Sequence, residues 1–337
     1  MSLALWTLKS ASILLPIVLV MFLAPPSLIA QESPLEQGLL VITTFPSLVY
    51  DMELILAPDD EVISIVPVGV DPHDYQLTPY DIELLRKADL IISTAHTSFE
   101  IEIKRLHDEG EIRGVLVEIP YIPGMRMLEN PATGQLNYHM PIYDPRNYMT
   151  FIFYLRGVLA DLRPERADYY RDKSRAILVA INKIVSETPR LYMRAAADLP
   201  SIQYAVNWLG IEIAFLLIKE HDIPATPADL LALKDALEKD LIELVVISEP
   251  VKTSASEYLE ELAKENGLPV LYIPSPLAQA SILEKLSLIS RRADELVCSK
   301  TEGEEPIWWK TRLVLATTTA FVILAILSAT AILYVKA

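Results

Sequence analysis

Short apolar runs rich in β-branched residues alternate with segments of helical periodicity through the first half of the chain. Four such runs predict strands, and the intervening apolar spacing predicts amphipathic helices. The predicted strands are Leu39–Thr44, Val62–Val66, Leu90–Ser93 and Val115–Ile119, and the first predicted helices are Asp81–Ala88 and Phe99–Leu106. Strands that alternate with helices favour a parallel sheet built from βα units.

A long helical stretch from Asp144 to about Glu187 separates this half from a second one. Asp144 is typical of an N-cap, Pro145 of a first helical residue, and Pro164 is expected to divide the stretch into two helices. The second half again mixes both patterns. It predicts strands at Leu244–Ile247 and Val270–Ile273, and helices at Tyr204–Lys219, Leu230–Glu238, Ala255–Glu265 and Ile282–Val297.

The two halves repeat one local pattern. Thr78-Pro79 opens a helix that leads to a strand, and Thr226-Pro227 does the same later in the chain. Each pair has an acidic residue three positions after the threonine, an arrangement that resembles a capping box. A favourable helix start used twice explains the pattern, but the strand that follows each one indicates two related lobes. The predicted fold is therefore α/β, with two parallel-sheet lobes joined by a long backbone helix.

Both ends of the chain have the character of membrane segments. Lys9 is followed by an apolar core from Ile13 to Ala24, which is typical of a secretory signal that is either removed or kept as an anchor. The uncharged run from Leu313 to Val335 is long enough to cross a bilayer, and Trp308 and Trp309 precede it as interfacial aromatics do. We therefore expect a C-terminal transmembrane helix and both lobes on the extracytoplasmic side of the cell membrane.

These patterns predict six segments along the 337 residues. In chain order they are a signal peptide or anchor at 1–31, an N-terminal lobe at 32–163, a connecting backbone helix at 164–190, a C-terminal lobe at 191–300, a juxtamembrane linker at 301–312 and the transmembrane helix at 313–335.

Charge and cysteine content exclude several functions. The net charge is −16, with 45 acidic against 29 basic residues, so a nucleic-acid partner is not expected. An acidic surface attracts cations, although it serves solubility equally well. Cys298 is the one cysteine, which rules out an intramolecular disulfide and a cysteine-based zinc site.

Several side chains that can bind a metal ion follow predicted strands. His73 lies in a loop stiffened by Pro72, His96 follows Leu90–Ser93, and His139 precedes the Asp144 cap. Neutral imidazoles bind zinc, manganese or iron, and the carboxyl ends of parallel strands are where ligands bind. A surface position or a hydrogen bond to loop amides is the alternative for each. Other candidates fall on the exposed faces of predicted helices (His107 and His221) or at a strand end of the second lobe (Glu249).

One motif is specific enough to resemble a known family. Residues 67–79 read Pro-Val-Gly-Val-Asp-Pro-His-Asp-Tyr-Gln-Leu-Thr-Pro, and a later segment contains Asn137, His139 and Asp144-Pro145. Together they resemble the zinc/manganese-type solute-binding proteins of ABC importers, over roughly residues 38 to 298. The resemblance implies that His73 and His139 are metal ligands, that a divalent zinc or manganese ion is the transported ligand, and that the partner is an ABC permease in the same membrane.

The chain departs from the family at two ligand positions. The resemblance places the third ligand at Leu199 and the fourth near Ser275, and neither side chain replaces a histidine or a carboxylate well. Water, Glu249 and His96 are then the candidates for the remaining positions. The alternatives are a degenerate relative that serves as a tethered transporter partner or binds another ligand, and a surface metallohydrolase. We do not expect an enzyme, because the sequence has no nucleophile elbow, His-Glu-x-x-His or phosphate loop.

Overall fold

The computed structural model describes residues 38–303, apart from 221–222 and 251–252. The predicted signal or anchor at 1–31, the transmembrane helix at 313–335 and His221 lie outside the described residues. Within the described part, no helix is both long and apolar enough to cross a membrane.

The first sheet is parallel throughout and has the strand order β2-β1-β3-β4. Its strands are β1 (Leu40–Thr43), β2 (Glu61–Ser64), β3 (Leu90–Ser93) and β4 (Val115–Glu118). The helices around it are α1 (Ser47–Glu53), α2 (Pro79–Lys87) and α3 (Ser98–Asp108). The structure confirms the predicted strands and helices to within two residues at most ends. The sheet centre is apolar, since Ile42, Ile91 and Ile92 are completely buried.

Two consecutive helices follow the first sheet. They are α4 (Pro145–Leu162) and α5 (Ala167–Glu187), separated by a 3₁₀ turn at Pro164–Arg166. The Asp144 side chain caps α4 by accepting hydrogen bonds from the amides of Arg146 and Asn147. The predicted cap and the predicted division at Pro164 are both confirmed.

The second sheet repeats the topology of the first. Its parallel order is β10-β9-β5-β6, so that in both sheets the first strand lies between the second and the third. The strands are β5 (Arg194–Ala197), β6 (Glu212–Leu216), β9 (Leu244–Glu249) and β10 (Val270–Pro274), and an antiparallel hairpin consists of β7 (Ile218–Glu220) and β8 (Ile223–Pro224). The helices are α6 (Ile202–Asn207), α7 (Pro227–Glu238), α8 (Ser254–Asn266) and α9 (Ile282–Gly303).

The predicted helix Tyr204–Lys219 is wrong beyond Asn207. Helix α6 ends at Asn207, and the chain then enters β6 and β7. Gly210 lies between helix α6 and strand β6 and has a φ of +78°. This left-handed conformation does not allow the helix to continue. The apolar run after Gly210 has no polar face to distinguish strand from helix, and pairing of β6 with β5 decides it.

The repeated Thr-Pro pattern occupies equivalent places in the two sheets. Thr78 and Thr226 both form capping boxes, and the helices that they start lead into the third strand of each sheet, β3 and β9. The same helix start at the same topological position supports two related lobes. We call the first sheet and its helices through α4 the first lobe, and the second sheet with its hairpin and helices α6 to α9 the second lobe.

A buried polar cluster joins the lobes. Asp51 on α1 accepts hydrogen bonds from the Tyr148 hydroxyl on α4 (2.6 Å) and from the Ile282 amide of α9 (2.8 Å). Burial raises the pKa of Asp51 to about 6. Lys285 lies in the same region, where burial lowers its pKa to about 8 and its Nζ donates to the carbonyl of Pro276 (2.7 Å). These contacts fix the first lobe against helix α9.

Candidate metal centre

Three loops at the carboxyl end of the first sheet bring three histidines together. His73 follows β2, His96 follows β3, and His139 lies in the long segment after β4. One nitrogen from each ring lies within 4.8 Å of the others, and the ring centroids are 5.2 to 6.0 Å apart. Three of the predicted candidates therefore converge at one point.

His73 is oriented by the aspartate two residues before it. The Oδ1 of Asp71 accepts a hydrogen bond from the His73 amide (2.9 Å) and lies 3.0 Å from the ring Nδ1. A carboxylate at Nδ1 favours the tautomer with the proton on that nitrogen, which leaves the Nε2 lone pair to bind a metal. Asp71 is therefore placed to orient the ring of His73.

His96 is held by the turn between β3 and α3. Its Nδ1 lies 3.0 Å from the Thr94 hydroxyl, and that hydroxyl donates its own hydrogen to Glu100 (2.8 Å). Thr94 can therefore only accept from the imidazole, which again places the ring proton on Nδ1. Burial lowers the pKa of His96, although the nearby Glu100 carboxylate opposes this shift. The ring is kept in the neutral form that metals bind.

His139 is oriented by Asn137. The Asn137 Oδ1 accepts from the His139 amide (3.0 Å) and lies 3.1 Å from its Nδ1. The amide of Asn137 cannot be reversed without loss, because its Nδ2 donates to the Pro200 carbonyl and the Gln203 side chain, both at 2.9 Å. Since these two partners belong to the second lobe, the second lobe helps to fix this first-lobe histidine.

The three rings share one arrangement, with a hydrogen-bond acceptor at each Nδ1. The side chains of His73, His96 and His139 are only 23%, 10% and 15% exposed, so they are sheltered yet reachable. Imidazole nitrogens that converge on one point suit zinc, and also manganese or iron when oxygen ligands complete the set. The ligand role of these residues stays a prediction.

The remaining sequence candidates lie elsewhere. Glu249, at the end of β9, forms an ion pair with Arg292 on α9, and it is not part of the histidine group among the described residues. His107 lies on α3 beside Asp108. At the two departures from the family pattern, Leu199 packs against the hydrophobic core and Ser275 accepts a hydrogen bond from the Leu277 amide.

Glu220 is a residue that the sequence interpretation missed. It ends β7, and its Oε2 lies 3.5 Å from the Nε2 of His139. Burial raises the pKa of the Glu220 carboxyl, while the Asn130 amide and His73 act in the opposite direction. The mistaken helix over Tyr204–Lys219 hid this residue, because it made the following segment look like an exposed helix end.

Comparison with known proteins gives a family and several relatives. Residues 41–282 match the family model described as "ZnuA: Zinc-uptake complex component A periplasmic". The iron-binding protein YfeA of Yersinia pestis is 24% identical over 300 residues, covering 85% of this chain and 94% of YfeA. The manganese ABC transporter substrate-binding lipoprotein PsaA of Streptococcus pneumoniae is 24% identical over 257 residues, covering 68% of this chain and 78% of PsaA.

Solved structures show the same fold. The solute-binding protein FpvC of Pseudomonas aeruginosa, in complex with Mn²⁺, superposes with a TM-score of 0.64 at 18% identity, covering 80% of this chain and 100% of FpvC. A crystal structure of ZnuA superposes with a TM-score of 0.60 at 19% identity, covering 76% of this chain and 98% of ZnuA. At these identities the likeness establishes the fold alone.

Proposed function

Because the chain belongs to the ZnuA family of periplasmic metal-uptake components, we propose that it is the membrane-tethered, extracytoplasmic solute-binding component of an ABC importer for zinc or manganese. The observation that carries this proposal is the convergence of His73, His96 and His139 within 4.8 Å. The metal is the cargo, which the protein hands to the permease.

The distances between the histidines support a metal site. In a tetrahedral site with metal–nitrogen distances of about 2.0–2.1 Å, neighbouring ligand nitrogens are about 3.3 Å apart. The imidazole nitrogens lie within 4.8 Å of one another, so small side-chain movements bring them to that spacing. The acceptors at the three Nδ1 atoms preset the tautomer that binding requires, which lowers the cost of organising the site.

The ligands that join the histidines determine which metal the site prefers. Three imidazoles already form the protein ligand set of many four-coordinate zinc sites. Manganese prefers oxygen ligands and requires at least one carboxylate or several waters. The relatives named above bind iron or manganese by their descriptions, and zinc and manganese are the two cargoes that we propose here.

Tethering is proposed from the ends of the chain. The apolar run 313–335 and the N-terminal segment 1–31 lie outside the described residues, and their sequences support a span and a signal or anchor. A protein held in the same membrane as its permease meets it at a high effective concentration, so that modest affinity for the permease is sufficient.

The test is metal binding by the full-length chain in detergent micelles after chelation. Isothermal titration with Zn²⁺ and Mn²⁺ should show one site per chain, which is lost in His73→Ala and His139→Ala and weakened in His96→Ala. The variant His107→Ala is the matched control, since that ring lies on helix α3 away from the cluster.

Either of two results would contradict the proposal. A folded wild-type protein that binds neither metal would favour a degenerate transporter partner. Metal-dependent turnover of a model ester by the wild type, abolished in the same histidine variants, would favour the hydrolase alternative.

A further inference from the structure

The second lobe presents one carboxylate to the histidine cluster. Glu220 ends strand β7, and its Oε2 lies 3.5 Å from the Nε2 of His139. Its side chain is 31% exposed, and it also interacts electrostatically with His73. Two ligand atoms on one tetrahedral metal ion lie about 3.3–3.5 Å apart when each is about 2.0–2.2 Å from the ion. The separation between Glu220 and His139 already has the spacing of two ligands on one ion. Glu220 lies outside the group of three histidine nitrogens within 4.8 Å of one another, so binding requires its carboxylate to move closer to the other two rings.

A buried asparagine of the first lobe sets the position of this carboxylate. The Nδ2 of Asn130 donates to the Oε1 of Glu220 (2.9 Å) and to the carbonyl of Lys219 (2.6 Å). The Oδ1 of Asn130 accepts from the Ala132 amide, so the orientation of the amide is fixed. Asn130 is completely buried. With Oε1 engaged, Oε2 is the oxygen turned towards the histidines.

The ammonium group of the neighbouring Lys219 pairs with Asp229. The Nζ of Lys219 lies 2.6 Å from the Oδ2 of Asp229, at the start of α7. This ion pair directs the ammonium group towards Asp229 rather than towards the Glu220 carboxylate. Lys219 and Glu220 alternate in direction along the strand, as neighbouring residues of a β-strand do.

We propose that Glu220 is the second-lobe ligand of the metal held by His73, His96 and His139. This inference rests on the proposed function, because it assigns a ligand to the same site. It places the second lobe's contribution on the β7–β8 hairpin, away from Leu199 and Ser275, the positions that the family resemblance pointed to. The complete set is three imidazoles and one carboxylate.

This ligand set predicts different consequences for two metals. Zinc retains three imidazoles without Glu220, and a water can take the fourth position. Manganese depends more strongly on oxygen ligands, and Glu220 is the carboxylate that the set provides. Loss of the Glu220 charge should therefore weaken manganese binding more than zinc binding.

The experiment compares Glu220→Gln with the wild-type full-length chain in detergent micelles, by titration with Zn²⁺ and with Mn²⁺. The amide oxygen of glutamine can still accept the hydrogen bond from Asn130, so the hairpin should keep its place. We expect an affinity loss of about 10-fold for zinc and on the order of 100-fold or more for manganese. Glu238→Gln, which removes one exposed negative charge from the end of α7, should change neither affinity.

A crystal structure with zinc provides a readout independent of affinity. A Glu220 oxygen about 2.0–2.2 Å from the ion would support the assignment. Unchanged affinities in Glu220→Gln, together with losses in the histidine variants, would overturn it and leave the proposed function standing. A folded wild-type chain that binds neither metal would overturn both. Thermal unfolding of each variant without metal checks that a loss of affinity is not a loss of fold.

Discussion

Replacing Glu100 with glutamine tests how the turn that carries His96 is built. Glu100 is buried, and its carboxylate accepts hydrogen bonds from the β3–α3 turn. Oε1 accepts from the Thr94 amide (2.6 Å), and Oε2 accepts from the amides of His96 and Thr97, both at 3.1 Å. The hydroxyl groups of the turn also donate to it; they belong to Ser93, Thr94 and Thr97. The same contacts hold Ala95 at a φ of +57°, a left-handed conformation that is unfavourable for alanine.

The expected loss of stability in Glu100→Gln follows from the number of backbone N–H groups that lose their acceptor. A glutamine amide placed at the Oε2 position would face two backbone N–H groups, whereas at the Oε1 position it would face one. The second orientation is therefore preferred, with the Thr94 amide left unpaired, while hydroxyl groups can rotate to accept from the new NH₂. One buried unsatisfied donor costs about 1–3 kcal/mol, and the loss of charge weakens the remaining hydrogen bonds. We expect a destabilisation of about 3 kcal/mol, which a domain of ordinary stability survives folded.

Urea denaturation of the metal-free protein measures this loss, and zinc titration measures its effect on His96. The Kd for zinc should rise about 10- to 100-fold, as expected when a residue that orients a ligand is removed. Glu102→Gln is the control, because this partly exposed residue of the same helix forms an ion pair with Arg105 and should leave the unfolding free energy essentially unchanged. An unchanged unfolding free energy in Glu100→Gln would refute the account of the turn. Destabilisation with unchanged zinc affinity would refute the role of Glu100 in positioning His96.

Three further predictions concern other parts of the molecule. Burial raises the pKa of Asp198 from 3.8 to about 6, so the carboxyl group binds a proton more tightly in the folded state than in the unfolded state. The contribution of Asp198 to the free energy of unfolding therefore becomes more favourable as the pH falls from about 6 to about 4. The difference in unfolding free energy between wild type and Asp198→Asn should therefore change by roughly 2–3 kcal/mol between pH 7 and pH 4 in urea titrations; a constant difference would contradict the assignment. Tyr204→Phe removes a buried hydroxyl that donates to the carbonyl of Asn137 at 2.6 Å and should lower the urea-derived stability by about 1–3 kcal/mol, whereas an unchanged midpoint would show that this contact between the lobes contributes little. Asp71→Ala removes the acceptor at Nδ1 of His73 and should weaken zinc binding about 10- to 100-fold in calorimetry, with little change in stability; unchanged affinity would show that His73 needs no orienting group.

Most of the fold was predictable from local patterns. Strand β3 matches its predicted bounds, and the caps at Thr78, Asp144 and Thr226 lie where the sequence indicated. These signals are short in range, since a cap or an apolar run depends on a few neighbouring residues. The segment after Gly210 was not predictable in this way, because only pairing with β5, which is distant in sequence, makes it a strand.

In the candidate site, too, some features follow from the local sequence and others depend on contacts between distant parts of the chain. The family motif singled out His73 and His139, and position after a strand singled out His96. Position after a strand was not enough for Glu249, whose strand also ends at a carboxyl edge but whose side chain meets Arg292. Glu220 had no sequence signal, because its approach to His139 depends on the docking of a second-lobe hairpin against Asn130. Side chains that come from one sheet were therefore predictable together, and the contribution of the other lobe was not.

The arrangement of the lobes bears on how a metal bound by Glu220 and the three histidines would leave. Separating the lobes has to break the buried hydrogen bonds of Asp51, Asn137 and Tyr204, and each buried group left unpaired costs about 1–3 kcal/mol. Withdrawing the hairpin from the first lobe breaks, among the described contacts, the hydrogen bonds of Asn130 to Glu220 and to the carbonyl of Lys219, together with the approach of Glu220 to His139. It would leave zinc on three imidazoles but deprive manganese of its carboxylate. Movement of the hairpin alone would thus release manganese more readily than zinc, and a zinc cargo would require the permease to disturb the first-lobe histidines as well.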